Sequence, residues 1–188
     1  MAREGQLRWV VDPIDGTSNY APGRNRWCVS LGLLEGDTPV AGVIEAPALG
    51  EVYTALLGHV AFLNGKRIQA SPVKDPASAM IEMGWSNRVP KAVFMEKIDA
   101  IMSLGAMPRS GGSGALALAD VACGRLDGYI EIVINLWDVA AALPLLAEAG
   151  ACVSPFLHTG GLTGPATILA ANPHIAQTLS EAVAIPLK

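Results

Sequence analysis

The run Trp9-Val10-Val11-Asp12-Pro13-Ile14-Asp15-Gly16-Thr17 carries an apolar segment straight into two carboxylates, a glycine and a hydroxyl. Pro13 has no backbone N–H and excludes helix at that point, so Asp12 and Asp15 face each other across a stiff turn. Two carboxylates so placed can converge on one hard cation, and carboxylate, backbone carbonyl and water oxygens are the ligands that Mg²⁺ prefers. Gly16 allows a ligand to approach the backbone closely. If Thr17 opens a short helical turn, the free N–H groups of Gly16 and Thr17 can receive a phosphate oxygen. The same residues also make an ordinary strand-ending turn, in which Asp15-Gly16 bends the chain and Asp12 accepts from backbone N–H groups. Spacing by itself does not choose between the two.

A second acid, Asp138, follows Trp137 and precedes the small-residue run Val139-Ala140-Ala141-Ala142. It reads as a helix N-cap, a role that needs no metal. Gly111-Gly112-Ser113-Gly114-Ala115 is a glycine-rich entry to a helix, whose free N–H groups and positive dipole end suit an anion. It lacks the Gly-Lys-Ser/Thr ending of a P-loop. Gly112, Gly114 and Ala117 satisfy G-x-G-x-x-A, with Glu131 lying 19 residues beyond Gly112, so dinucleotide binding is a rival reading. Against it, Leu104 to Ser110 contains Gly, Pro and Arg rather than a clean apolar strand. His59, His158 and His174 have no metal-ligand spacing and read as surface or turn residues. Ser30, Ser86 and Ser113 lack a nucleophile elbow, and no Cys has a nearby His, so covalent hydrolysis finds no support.

These residues must be held by elements that the pattern already suggests. Arg8–Val11, Cys28–Leu34, Val40–Ala46 and Val52–Leu56 read as strands bounded by Gly, Pro or Asp, a meander with antiparallel pairing. Glu35-Gly36-Asp37 and Asn64-Gly65 are hairpin chemistry. The period then changes to helical over Pro90–Leu104 and over Ser113 to Ala122 or Cys123, with Ser113 as N-cap. A strand over Asp127–Ile132 and a helix over Asp138–Ala149 follow, the latter capped by Asp138 and kinked or shortened by Pro144. A last helix is expected with Asn172 as its cap and Pro173 in its first turn, and with Ile175, Leu179 and Val183 as its apolar stripe. Strands first and alternating elements later imply a layered α+β or α/β sandwich rather than a barrel.

Composition narrows the classes of function. Of 188 residues, 51% are apolar and 16% charged, which suits one folded domain and excludes a disordered or collagen-like chain. Lys plus Arg number 13 against 17 Asp plus Glu, a net charge of −4 with no electrostatic footprint for nucleic acid or an anionic membrane. The apolar run Val139–Ala147 is far shorter than the roughly 20 residues of a membrane span. Met1–Arg8 is polar and lacks a secretory apolar region, so a cytoplasmic protein is expected. Cys28, Cys123 and Cys152 are odd in number and far apart, and read as small apolar side chains rather than disulfide or zinc ligands.

Taken together, WVVDPIDGTSNY and the downstream GRLDGYIEIVINLWDVAAALPLLAEAG resemble the inositol monophosphatase family of metal-dependent phosphatases. The similarity also runs through AFLNGKRIQAS, GSGALALADVACGRLDGYIE and ILAANPHIAQTLSEAVAIPLK, so it covers essentially the whole chain, residues 1–188, as one domain. The resemblance implies a layered αβαβα sandwich of the sugar phosphatase type. It makes Asp12 a carboxylate shared between metals, the Ile14 carbonyl a ligand, and Asp15 and Asp138 ligands of a second ion, with two or three Mg²⁺ in a complete site. Gly16 and Thr17 would hold phosphate, Glu131 would meet substrate hydroxyls, and Gly112, Ser113 and Gly114 would flank the substrate. Gly114 stands where alanine is more usual, loosening the helix start by up to about 1 kcal/mol.

Family members also carry paired helices and a glycine-glutamate-glutamate motif ahead of the first aspartate motif, whereas eleven residues precede Asp12 here. The expectation is therefore a sandwich without its first helical layer, with one glutamate ligand fewer and apolar surface left uncovered. The implied activity is Mg²⁺-dependent hydrolysis of inositol 1-phosphate, or a similar small phosphorylated polyol, by metal-activated water in a homodimer. Asp12, Asp15, Thr17 and Asp138 would carry the chemistry. The alternative is an impaired or inactive member acting as an interaction protein, since the related extragenic suppressor proteins bind the transcription machinery.

Overall fold

The computed structural model describes residues 5–187, so Met1 to Glu4, half of the polar N-terminal stretch, lie outside the described residues. The first strand, β1 (Leu7–Asp15), carries both aspartates of the motif rather than stopping at Val11. It is tolerated because β1 is an edge strand, where Pro13 needs no ladder partner. A shift of register between Asp12 and Asp15 against the neighbouring strand makes a bulge that re-aims both carboxylates. The short helix α1 (Thr17–Tyr20) follows at Gly16, whose φ of 84° lies in the left-handed region that glycine occupies freely.

The expected meander is present. β2 (Cys28–Glu35), β3 (Thr38–Ala46), β4 (Glu51–Leu56), β5 (Phe62–Leu63) and β6 (Lys66–Arg67) pair antiparallel in sequence order with β1. Asn64 and Gly65 both have positive φ in the two-residue β5–β6 turn. The second sheet is mixed. β7 (Met80–Met83) lies parallel to β8 (Met107–Arg109) and β9 (Gly128–Ile134), with β11 (Ala166–Ala171) and β10 (Cys152–Val153) added antiparallel beyond β9. Between β7 and β9 the chain forms α2 (Lys91–Ser103) and α3 (Gly114–Ala122), both close to expectation.

Two helices differ from the sequence expectation. Asp138–Ala149 is two helices, α4 (Leu136–Val139) and α5 (Ala142–Glu148). Pro144 cannot donate to the carbonyl four residues earlier, at Ala140, and the break falls there. Asp138 is also not the N-cap: Asn135 is, and Asp138 closes a capping box from the third helical position. The last helix, α6 (Ala176–Val183), starts later than expected, because Asn172 uses its side chain on the N–H groups of His174 and Ile175 in a preceding turn. Its stripe of Ile175, Leu179 and Val183 is buried as expected.

The layers follow from the two cores. Helices α3, α4 and α5 lie between the sheets, where Leu116, Leu118, Leu145 and Leu146 pack against Ile44 and Tyr53 on one side and Ile134 and Ile168 on the other. Helices α2 and α6 cover the far face of the second sheet over Ile81, Met83, Ile130 and Leu169. Each of these side chains contributes about 1.5–3 kcal/mol by leaving water. The order is thus sheet, helices, sheet, helices. Gly32 and Gly42, paired across β2 and β3, let the Ala140–Ala141 backbone lie on the first sheet, since a Cβ at either would meet it within 2.8 Å. That contact sets α4, and with it Asp138, against the bulge of β1. The outer face of the first sheet carries exposed Leu7, Trp9, Val11 and Leu56.

Candidate functional site

Asp12, Asp15 and Asp138 meet at the seam between β1 and α4, with one carboxylate oxygen of each within 4.8 Å of the others. Asp138 comes from a position more than a hundred residues beyond the other two. Asp12 spends one oxygen on the Ile14 N–H at 3.0 Å, which is the bond that the ordinary-turn reading expects. Asp15 is buried and accepts from the Ser113 hydroxyl and, at 2.9 Å, from the Ala115 N–H. Asp138 accepts from the Asn135 N–H at 3.1 Å. The entrance of α3 and the capping box of α4 therefore hold two of the three acids in fixed orientations.

No lysine, arginine or histidine makes an ion pair with these three acids among the described residues. Burial, and then the neighbouring Asp15 carboxylate, push the Asp138 carboxyl up to about 7, against the lowering effect of the Asn135 N–H. Burial likewise raises Asp15, although Ser113 and Ala115 oppose it. Three converging carboxylates without a cationic partner must share protons or take up a cation. An all-oxygen donor set of this kind fits a hard divalent ion such as Mg²⁺ better than Zn²⁺, which favours nitrogen and sulfur. Cys28, 3.8 Å from Asp15, is not a competing nucleophile, because burial pushes its thiol well up.

Beside the acids lies a cleft of about 180 Å³ lined by Asp15, Asp138, Ser18, Gly112, Ser113, Gly114, Glu131 and several residues that the motifs did not include. Ser113 is the N-cap of α3, as expected from sequence. Gly16 packs on this entrance, since a Cβ there would lie 3.1 Å from the Ser113 side chain and 3.2 Å from the Gly112 carbonyl. Gly114 is explained by crowding: a Cβ would meet Ile134 at 2.9 Å and the Tyr129 hydroxyl at 3.2 Å. Glu131 accepts from Tyr129, and burial raises its carboxyl. Asp12, Ile14, Gly16 and Thr17 are not among the residues that line the cleft, whereas Ser18 is. His59, His158 and His174 are exposed, apart from the acids.

Sequence reasoning missed Glu82, Gly84, Trp85, Tyr129 and Ile134 in the lining. It also missed the brace behind it. Arg26 bridges Glu82 at 2.9 Å and Asp120 at 2.8 Å. Glu82 in turn accepts from the Gly111 N–H at 2.9 Å, and Asn19 donates to the carbonyls of Gly111 and Arg26. The glycine-rich entrance is thus tied to the segment following the aspartate motif. An acid inside the apolar strand Met80–Met83 was the available signal, because a buried carboxylate requires a partner.

The family model described as the inositol monophosphatase family matches residues 2–185. The chain is 41% identical over 153 residues to Nus factor SuhB of Xylella fastidiosa, covering 80% of this chain and 56% of that protein. It is 36% identical over 184 residues to inositol-1-monophosphatase of Synechocystis, covering 94% and 62%. Among solved structures, inositol monophosphatase from Anabaena superposes with a TM-score of 0.86 at 34% identity, covering 98% of this chain and 75% of that one. The extragenic suppressor protein suhB from Bartonella henselae gives 0.88 at 32% identity, covering 95% and 69%. The chain therefore spans less than two thirds of the length of the first two relatives.

Proposed function

The chain belongs to the inositol monophosphatase family, and from that premise we propose that it hydrolyses a small phosphate monoester, most simply inositol 1-phosphate, with Mg²⁺. The observation that carries the reading is the triad of Asp12, Asp15 and Asp138, convergent within 4.8 Å and without a cationic side chain. These three acids, with the Ile14 carbonyl beside the bulge, would hold two or three Mg²⁺. Bound Mg²⁺ supplies the positive charge that stabilises phosphoryl oxygens and makes water more acidic.

The protein's own part is positioning. Ser113 and the Ala115 N–H fix the Asp15 carboxylate, and Asn135 fixes Asp138, so neither acid must reorganise when the charge on phosphorus changes. Gly16 and Thr17 would orient the phosphate at the bulge. Glu131, held by Tyr129, would accept from a substrate hydroxyl, and Gly112 to Gly114 would bound the cleft beside it. Among the described residues no side chain is placed as a nucleophile, so water would be the attacking group and the cleft would hold the phosphate in line with it.

The test is phosphate release from inositol 1-phosphate with and without Mg²⁺, on the chain and on Asp12→Asn. Release that needs Mg²⁺ and is lost in Asp12→Asn supports the reading, whereas turnover undiminished in Asp12→Asn contradicts it. The second reading, a regulatory interaction protein, draws on the Nus factor name of the Xylella relative. It predicts a folded chain whose thermal transition is indifferent to millimolar Mg²⁺. We further propose a cytoplasmic homodimer with no direct nucleic acid ligand. The net charge of −4 favours the last point, and no helix among the described residues is long and apolar enough to cross a membrane.

A further inference from the structure

Ser113, which donates to the Asp15 carboxylate, sits in the most pliable backbone around the cleft. Gly111, Gly112 and Gly114 surround it, and glycine loses more conformational freedom on folding than any other residue. Such a turn keeps one shape only where its surroundings impose it. Here the hold begins at Gly111. Its N–H donates to Glu82 at 2.9 Å and its carbonyl accepts from Asn19 at 2.8 Å, so both polar groups are engaged before the chain reaches Ser113.

Arg26 sustains that hold, although it does not line the cleft. Burial raises the Glu82 carboxyl, and the Arg26 charge is the strongest influence against it. An ionised Glu82 serves two donors, with one oxygen on Arg26 at 2.9 Å and the other on the Gly111 N–H. A hydrogen bond to an ionised acceptor is about twice as strong as a neutral one. The three groups are in contact, because a Cβ at Gly111 would lie 2.9 Å from the guanidinium carbon of Arg26 and 2.7 Å from the Glu82 oxygen. Without Arg26, the buried acid favours its neutral form and the turn loses its firmest anchor.

The consequence falls on Asp15. The Ser113 hydroxyl and the Ala115 N–H, the latter at 2.9 Å, donate to the same Asp15 oxygen, so a turn free to shift lets that carboxylate rotate. Asp120 supplies an internal contrast. It pairs with Arg26 at 2.8 Å from within α3, and among the described residues its carboxylate makes ion pairs with Arg26 and Arg125 and no bond to the turn.

We propose that Arg26 is a positioning residue for the reaction: through Glu82 it holds Gly111, and through Gly111 it keeps Ser113 and Ala115 on the Asp15 carboxylate. This rests on the proposed phosphatase reading and adds to it a residue from outside the cleft.

The experiment measures kcat and KM for inositol 1-phosphate, and the Mg²⁺ concentration of half-saturation, on folded wild type, Arg26→Met, Asp120→Asn, Ser113→Ala and the double variant of Arg26→Met with Ser113→Ala. Arg26→Met lowers kcat by about tenfold and keeps the Mg²⁺ half-saturation within about threefold, since all three acids remain. Asp120→Asn loses stability yet stays within about twofold of the wild-type kcat. Because Arg26 and Ser113 act on one link, the double variant falls no further than the larger single loss. An unchanged kcat in Arg26→Met, an equal fall in Asp120→Asn, or losses that multiply in the double variant overturn the proposal. Arg26→Gln replaces Arg26→Met, with the same expectations, if the latter does not fold.

A wild type that releases no phosphate fails the phosphatase reading, and the proposal is then read by NMR of the metal-free chain. The Ala115 amide proton reports its bond to Asp15 in the folded state, whatever the stability. Its resonance moves upfield in Arg26→Met and stays in place in Asp120→Asn. A resonance unmoved in Arg26→Met, or moved equally in both, overturns the proposal.

Discussion

Two clusters of largely buried carboxylates lie on either side of the α3 entrance, and they differ in one respect. Glu82 and Asp120 are bridged by Arg26, and Asp120 also lies 3.6 Å from Arg125, so that cluster carries its own cations. Asp12, Asp15 and Asp138 have no cationic side chain in ion-pairing distance among the described residues. A cluster with its cation is complete and holds backbone in place. A cluster without one keeps protons above their usual pH, or binds a cation from solution. The first braces the glycine-rich entrance, and the second is where we place the chemistry.

The sharpest way to break this contrast is to neutralise one acid in each cluster. Asp138→Asn should lower Mg²⁺-dependent phosphate release by about a hundredfold or more, while raising the thermal stability of the metal-free chain, because a repelled buried charge is removed. Phosphate release and metal-free melting on the same preparation check both signs. Next in size is the brace: Arg26→Met strands Glu82 and Asp120 and should destabilise the fold by about 3 kcal/mol, read by urea unfolding.

A smaller effect follows from pH. The Asp138 carboxyl is raised to about 7, so the folded chain binds its proton more tightly than the unfolded chain does. That stability is fully present below the ordinary carboxylate range and is lost as pH rises toward 7. The metal-free melting temperature should fall across that window, and saturating Mg²⁺ should flatten or reverse the trend. The least effect belongs to Arg125, whose side chain is 48% exposed and pairs with Glu51 at 2.7 Å. Solvent screening limits Arg125→Gln to about 0.5 kcal/mol in the same urea experiment.

The two clusters also differ in how far they could be read from sequence. The aspartate motif was legible because local chemistry marks it: Pro13 stiffens the turn, Gly16 takes a left-handed φ, and Ser113 caps α3 within a few residues of its glycines. The four long strands were legible from β-branched runs between turn residues. Asp138 was legible as a candidate, but its role as the third residue of a capping box was not, since Asn135 was passed over as the cap. The break between α4 and α5 was foreshadowed by Pro144, yet its close packing on the first sheet depends on Gly32 and Gly42, about a hundred residues away.

The Arg26 brace joins residues 56 and 94 positions apart and leaves no local pattern. Glu82 sits in the four-residue strand Met80–Met83, where an acid among apolar residues signals a buried partner but does not say which residue it is. Trp85 is similar: its type is visible in the sequence, but its place in the same cleft as Glu131 follows from the parallel pairing of β7 and β9. Local motifs expose the acids, and long-range pairing decides what surrounds them.

The central claim is that the Asp12, Asp15 and Asp138 cluster takes up a divalent cation which the Arg26 cluster does not need. The most direct measurement is calorimetric titration of Mg²⁺ into the folded chain beside Asp138→Asn and Arg26→Met, near neutral pH in two buffers of different protonation enthalpy. We predict saturable uptake with proton release by the wild type and by folded Arg26→Met, and uptake sharply weakened in Asp138→Asn. A folded wild type that takes up no Mg²⁺ at millimolar concentrations, or an Asp138→Asn variant that binds as well as the wild type, would contradict it.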